Sequence, residues 1–191
     1  MKRLGTPLPG VFLIEPERSE DERGFFARMF CAAEFKKWGM NPQIAQCSIS
    51  FNRYKGTLRG MHYQIEPHAE TKLVRCTRGT IYDVALDLRR DSPSYKRWFA
   101  TELSAESRRM LYIPAGCAHG FQTLADDTEV LYQMNTAHSQ DAARGIRWND
   151  PALGISWPLP DPILSVRDRS YPSFGDVDAG AGGPFPGLSE Q

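Results

Sequence analysis

Thr80-Ile81-Tyr82-Asp83-Val84-Ala85-Leu86-Asp87-Leu88 repeats with a period of two. Tyr82, Val84, Leu86 and Leu88 fall on one side and Ile81, Asp83, Ala85 and Asp87 on the other, the alternation of a β-strand and not the period of a helix. Asp83 and Asp87 therefore share a face, which predicts a strand with functional work on one side. Outward from it, similar short runs occur at 72–77, 95–103, 109–113, 119–124 and 129–135, separated by turn residues such as Arg78-Gly79 and Ala125-Asp126-Asp127. Many short strands at close spacing predict an all-β sandwich or barrel of the jelly-roll kind. One short helix is expected at 32–38, with Ala32, Phe35 and Trp38 toward the core and Gly39 at its C-terminal cap. Beyond Trp157 the strands give way to Pro, Asp and Arg, and the run from Gly175 to Pro184 is too poor in large apolar residues to bury a core. The expected organisation is one domain over 1–172 and a disordered tail over 173–191.

The chain has 191 residues and four tryptophans, enough for one substantial core. Lys plus Arg number 23 and so do Asp plus Glu, so no global field favours a polyanion such as a nucleic acid, and an anionic ligand needs a local site. Cys31, Cys47, Cys76 and Cys117 lie far apart without CxxC spacing, and nothing ahead of the domain reads as a signal peptide. Free thiols in a reducing cytoplasm are the expectation. No apolar run approaches the roughly 20 residues of a membrane helix, so no membrane association is expected.

Histidines mark the candidate site. His62 sits in Arg59-Gly60-Met61-His62-Tyr63-Gln64 with Lys72 shortly after, and His119 closes Ile113-Pro114-Ala115-Gly116-Cys117-Ala118-His119-Gly120-Phe121. With Tyr132 they offer a neutral base, a cation and a phenol from separate strands, the parts needed to move a proton beside a carbonyl. Each has an ordinary alternative. A strand histidine is commonly just a hydrogen-bonded group, and Tyr132 by default is a core aromatic. Lys72, opening an apolar strand, either faces solvent at a rim or is held by a carboxylate such as Asp83. Arg59 could be a surface turn charge, while Gly60 would let a ligand approach the backbone. Metal binding competes as a chemistry, because His62, His68, Glu70 and His119 are metal-competent and Pro114-x-Gly116-x-x-His119 resembles half of a cupin metal motif. The other half, a His-x-His pair, fails at Gln64.

A wider set of motifs is co-linear with one family. Asp21-Glu22-Arg23-Gly24-Phe25-Phe26, Leu58-Arg59-Gly60-Met61-His62-Tyr63-Gln64, Lys72-Leu73-Val74, Asp87-Leu88-Arg89, Ser92-Pro93, the stretch ending at His119, Trp148-Asn149-Asp150-Pro151 and Leu164-Ser165-x-x-Asp168 resemble the dTDP-4-dehydrorhamnose 3,5-epimerases, the RmlC-type cupins. The resemblance runs from about Gly10 to Pro172. It implies a cupin jelly-roll β-sandwich with a few short helices, a homodimer exchanging N-terminal strands, no metal and no cofactor. The implied activity is epimerisation of a nucleotide-diphospho-4-keto-6-deoxyhexose, for supply of polysaccharide or antibiotic sugars.

Both C3 and C5 hydrogens of such a sugar lie α to the ketone, so one base beside a stabilised enolate can serve either carbon. A neutral imidazole with a pKa of about 6.5 suits that step at neutral pH. The resemblance assigns it to His62, with Asp168 orienting the ring and stabilising the imidazolium. Lys72 would face the C4 oxyanion, and Tyr132 would return a proton from the opposite face and so invert the centre. By resemblance Arg59 and His119 line the pocket, Arg167 contacts the substrate, and Arg23 reaches in from the partner subunit.

Departures from the family cluster at the nucleotide. Arg28 stands where a Glu usually meets thymine, and Ser48, in Gln46-Cys47-Ser48, stands where an Asn is usual. His138 replaces an aromatic that stacks on the base, and Ala143 a Glu. A Glu accepts the thymine N3 hydrogen but an Arg only donates, so Arg28 suits an acceptor edge such as that of cytosine or guanine. A CDP- or GDP-linked sugar, with Gln46, Ser48 and His138 still lining the base site, is therefore one alternative. A swing of Arg28 to a neighbouring carboxylate, with dTDP retained, is the other. A mono-epimerase, a 3,4-ketoisomerase and a non-catalytic sugar-nucleotide-binding cupin also remain open.

Overall fold

Runs of period two become strands nearly one for one. The computed structural model describes residues 1–176, and the chain begins with β1 (Lys2–Gly5), β2 (Phe12–Glu15), β3 (Arg18–Asp21), β4 (Gly24–Ala27) and the helix α1 (Ala32–Lys37). There follow β5 (Gln46–Asn52), β6 (Leu58–Gln64), β7 (Lys72–Arg78), β8 (Thr80–Asp87) and β9 (Trp98–Ser104). The remainder is β10 (Met110–Ile113), β11 (Cys117–Thr123), β12 (Thr128–Met134), β13 (Ala143–Gly145) and α2 (Val166–Ser170). Two large antiparallel sheets form, one of six strands in the order β1-β2-β10-β7-β12-β5 and one of five in the order β13-β6-β11-β8-β9, and β3 and β4 pair as a separate two-stranded hairpin.

Their inner faces share one core. Val74, Cys76, Leu111, Ile113 and Val130 from the six-stranded sheet meet Ile81, Ala85, Leu103, Cys117 and Phe121 from the five-stranded one. The pleat explains the choice, since alternate residues of each strand point inward. Asp83 and Asp87 do share the Ile81 and Ala85 face, and both are fully buried. The other face of β8 is buried as well. Val84, Leu86 and Leu88 pack under Leu153, Ile155 and Phe174 from the C-terminal segment, so the strand is covered on both sides. Phe174 thus belongs to the core, two residues past the expected boundary at Pro172, and its N–H donates to the Asp150 carboxylate. The tail expected beyond it lies, from residue 177 on, outside the described residues.

Three local expectations are modified. Helix α1 stops at Lys37 with Trp38 as its cap, and Gly39 takes the left-handed conformation at φ 73°. Phe35 is buried and Trp38 packs beside it, but Ala32 is exposed, because a helix this short turns only one residue fully into the core. The N-terminal strands β1, β3 and β4, which the period-two reading omits, are four residues each and mostly exposed, so no apolar alternation marks them. β5 was omitted for a different reason: its pattern is inverted. Gln46, Ser48, Ser50 and Asn52 point inward, and Ile49 and Phe51 are 62 % and 46 % exposed.

Candidate active site

The polar inner row of β5 is one wall of a cleft of about 380 Å³ at the end of the two sheets. Register sets that wall. Met134 on β12 stands opposite Lys72 on β7 and Gln46 on β5, and the next inward residue, Tyr132, stands opposite Ser48. All five line the cleft. The facing wall is β6 of the five-stranded sheet, which contributes Arg59 and His62.

Arg59 and His62 are three apart and on a regular strand would point to opposite faces. The pairing with β11 slips between them: His62 opposes His119 while Arg59 opposes Phe121, so Gly60 and Met61 together face Gly120 alone. This bulge turns both side chains into the cleft. It requires glycine at position 60, where φ is 143° and a Cβ would stand 2.5 Å from the Gly120 Cα. The neighbouring strand is thus what a side chain at position 60 would strike.

His62 Nε2 lies 2.6 Å from Asp168 Oδ1. Asp168 is fixed at the first turn of α2, where the Ser165 hydroxyl accepts from its backbone N–H at 3.0 Å and donates to Oδ2 at 2.9 Å. Burial alone raises the Asp168 carboxyl, but hydrogen bonds from His62 and Ser165 and the His62 charge outweigh it and hold it below the usual carboxylate range. As an anion it can only accept, so His62 Nε2 carries the proton and Nδ1 is the basic nitrogen. For His62, burial is the largest influence and lowers its pKa from 6.5, against the pull of Asp168, with smaller downward pushes from Lys72 and His119. The imidazole is thus neutral at neutral pH, the state a general base needs. A base at His62 would be lost on protonation, so that role predicts that kcat/KM falls only as pH drops through a value below 6.5, and an acid limb centred above 6.5 would contradict it.

Tyr171, just past α2, sets its ring edge-on to His62 at 5.6 Å. It fits because Gly145, opposite His62 in register, has no side chain, and a Cβ there would strike the Tyr171 ring. Tyr132 stays protonated: burial, then the Asp83 carboxylate, raise its pKa, with Arg59 and a Ser50 hydrogen bond opposing.

Lys72 is held by a carboxylate, but by Glu70, with Nζ 3.0 Å from Oε1, and not by Asp83. Asp83 lies on the five-stranded sheet next to β11 and takes His119, with Nε2 to Oδ1 at 2.7 Å. His119 is itself buried, edge-on behind Tyr132 at 5.9 Å, and is not among the residues lining the cleft. Gln64, at the position of the failed metal motif, donates to the His68 carbonyl and accepts from the Ser139 N–H. Among the described residues no three His, Cys, Asp or Glu side chains gather in a metal-holding group.

Of the residues expected at the nucleotide, Gln46, Ser48, His138 and Arg167 line the cleft. Gln46 accepts from the His138 N–H at 2.9 Å and donates to Ser48 Oγ at 3.2 Å. Arg28 is instead paired with Glu34 Oε1 at 2.8 Å and does not line it, the swing to a carboxylate weighed above. Arg23 lies at the tip of the β3–β4 hairpin, its side chain 84 % exposed and paired with Asp21. Glu70, Arg144, Ser165 and Tyr171 line the cleft without having been given site roles. Two had a signal: Ser165-x-x-Asp168 has capping spacing, and Glu70, two before Lys72 in extended chain, shares its face. Tyr171 had none, since its seat depends on a glycine 26 positions away.

A family profile described as dTDP-4-dehydrorhamnose 3,5-epimerase matches residues 5–176. The enzyme of that name from Shigella flexneri is 42 % identical over 179 residues, covering 93 % of this chain and 98 % of its own. The crystal structure of the enzyme of that name from Elizabethkingia anophelis NUHP1 superposes with a TM-score of 0.90 at 38 % identity, covering 92 % of this chain and 97 % of the other. A 3'-monoepimerase from Streptomyces bikiniensis, solved with dTDP-quinovose, gives a TM-score of 0.86 at 30 % identity over 92 % of this chain and 89 % of its own. With its fold and most of its length matched, the chain belongs to the dTDP-4-dehydrorhamnose 3,5-epimerase family, a family of isomerases.

Proposed function

We propose that this chain epimerises dTDP-4-dehydro-6-deoxyglucose at C3 and C5, with His62 as base, Lys72 as oxyanion partner and Tyr132 as acid. One observation carries the reading: His62, held by Asp168 of α2, stands on one sheet and Lys72 and Tyr132 on the other, across a single cleft. A sugar between them meets a base on one face and a proton donor on the opposite face, the geometry that inversion needs. The neutral His62 takes the α-hydrogen, charge builds on the C4 oxygen beside the Lys72 ammonium, and the protonated Tyr132 delivers to the other side. Arg59, Arg144 and Arg167 supply donors for the diphosphate. With Arg28 committed to Glu34, thymine is the base the cleft is assigned.

The strand order in the two sheets supports a jelly-roll sandwich. A homodimer with exchanged N-terminal strands is supported by the hairpin, whose Phe26 is 78 % exposed, and by Ile49 and Phe51 on the outer face of β5. Arg23 then enters the partner's cleft. The four free cysteines fit a reducing cytoplasm, and among the described residues no helix is long and apolar enough to cross a membrane.

Tyr132→Phe separates the two proton transfers. In D₂O the variant should retain exchange at the α-carbons through His62 while losing the inverted product, both read by NMR. Equal loss of exchange and inversion would count against Tyr132 as the acid.

A further inference from the structure

Glu70 has no part in the proton transfers above, yet its side chain is only 10 % exposed and reaches the one ammonium assigned to the oxyanion. Its backbone is pinned on both sides. The Thr71 N–H donates to Asn135 Oδ1 at 2.6 Å, and Gln64 clamps the preceding turn through the His68 carbonyl. The carboxylate is therefore carried on a fixed segment, and it projects to the same side as Lys72.

A carboxylate beside the ammonium screens its charge, which by itself weakens Lys72 toward a developing anion. What the carboxylate supplies is placement. Lysine is a flexible stem with three donors and no fixed fork. Glu70 takes one donor at 3.0 Å and the His62 carbonyl a second at 3.4 Å, leaving the third for the cleft. We propose that Glu70 is a positioning residue for Lys72, fixing the ammonium so that its remaining N–H meets the C4 oxygen of the substrate. The inference rests on the role given to Lys72 above.

A double-mutant cycle on α-hydrogen exchange in D₂O tests it, with kcat and KM for dTDP-4-dehydro-6-deoxyglucose. Glu70→Ala should lower kcat by about 10-fold or more through misplacement, with KM within about 3-fold, and Glu70→Gln, which keeps an acceptor oxygen, should recover most of the loss. In a Lys72→Ala background Glu70→Ala should cost nothing further. If Glu70→Ala does not fold, Glu70→Leu replaces it in the cycle. Wild-type kcat in Glu70→Ala, equal losses in the Gln and Ala variants, or a further 10-fold loss on top of Lys72→Ala would overturn the proposal. Wild-type kcat in Lys72→Ala would instead overturn the reading of the site on which it rests.

Discussion

Replacing His62 with alanine should abolish deuterium exchange at both C3 and C5 and lower kcat by about 10³-fold, within the range typical of a lost general base. The size follows from the geometry. The ring is held by Asp168 at 2.6 Å, and its basic nitrogen is left without a competing proton because partial burial lowers the pKa of the imidazole and leaves it neutral at neutral pH. Asp168 is in turn braced by Ser165, so the orientation is set before substrate arrives. β6 carries no second imidazole. Arg59 is a cation, and Tyr132 approaches from the other sheet with its pKa raised. KM should change far less than kcat, because the cationic groups assigned to the diphosphate are untouched. The fold should survive as well, since the side chain is 38 % exposed. Loss of exchange at one carbon only would mean that a second base serves the other.

The second large effect is expected for Lys72→Met, which should lower kcat by roughly 10²- to 10³-fold, or about 3–4 kcal/mol, the loss typical of one oxyanion donor. Removing an α-hydrogen puts charge on the C4 oxygen, and Lys72 is the cation on the six-stranded wall. Exchange at C3 and C5 should fall together, because both pass through the same enolate. The substitution also strands the largely buried Glu70 carboxylate, so thermal unfolding has to be measured beside the rate. Lys72→Arg keeps the charge but not the compact shape of the ammonium, and should fall between wild type and Lys72→Met. An unchanged kcat in Lys72→Met would remove the oxyanion role.

The strands that the sequence made visible are those whose apolar residues face the shared core. β8 and β12 read cleanly because Ile81, Ala85 and Val130 alternate with residues of other character. β5 did not, because its inward row is polar where it lines the cleft and its apolar row faces outward. The site divides in the same way. His62, Lys72, Tyr132 and Asp168 could be named from motifs, and all four reach one cleft. What the sequence hid was pairing. Asp83 was the carboxylate offered for Lys72, and only the assignment of the two strands to different sheets leaves that place to Glu70. The bulge that brings Arg59 to the side of His62 depends on how β6 registers against Gly120, a relation over 60 positions that no local pattern encodes. The same holds for Tyr171 over Gly145.

The most direct test is incubation of the unaltered protein with dTDP-4-dehydro-6-deoxyglucose in D₂O, with the label read by NMR. Deuterium at both C3 and C5, with the doubly inverted sugar as product, is the outcome expected of a base and an acid on opposite walls. Substrate that binds yet acquires no deuterium at either carbon would contradict the account.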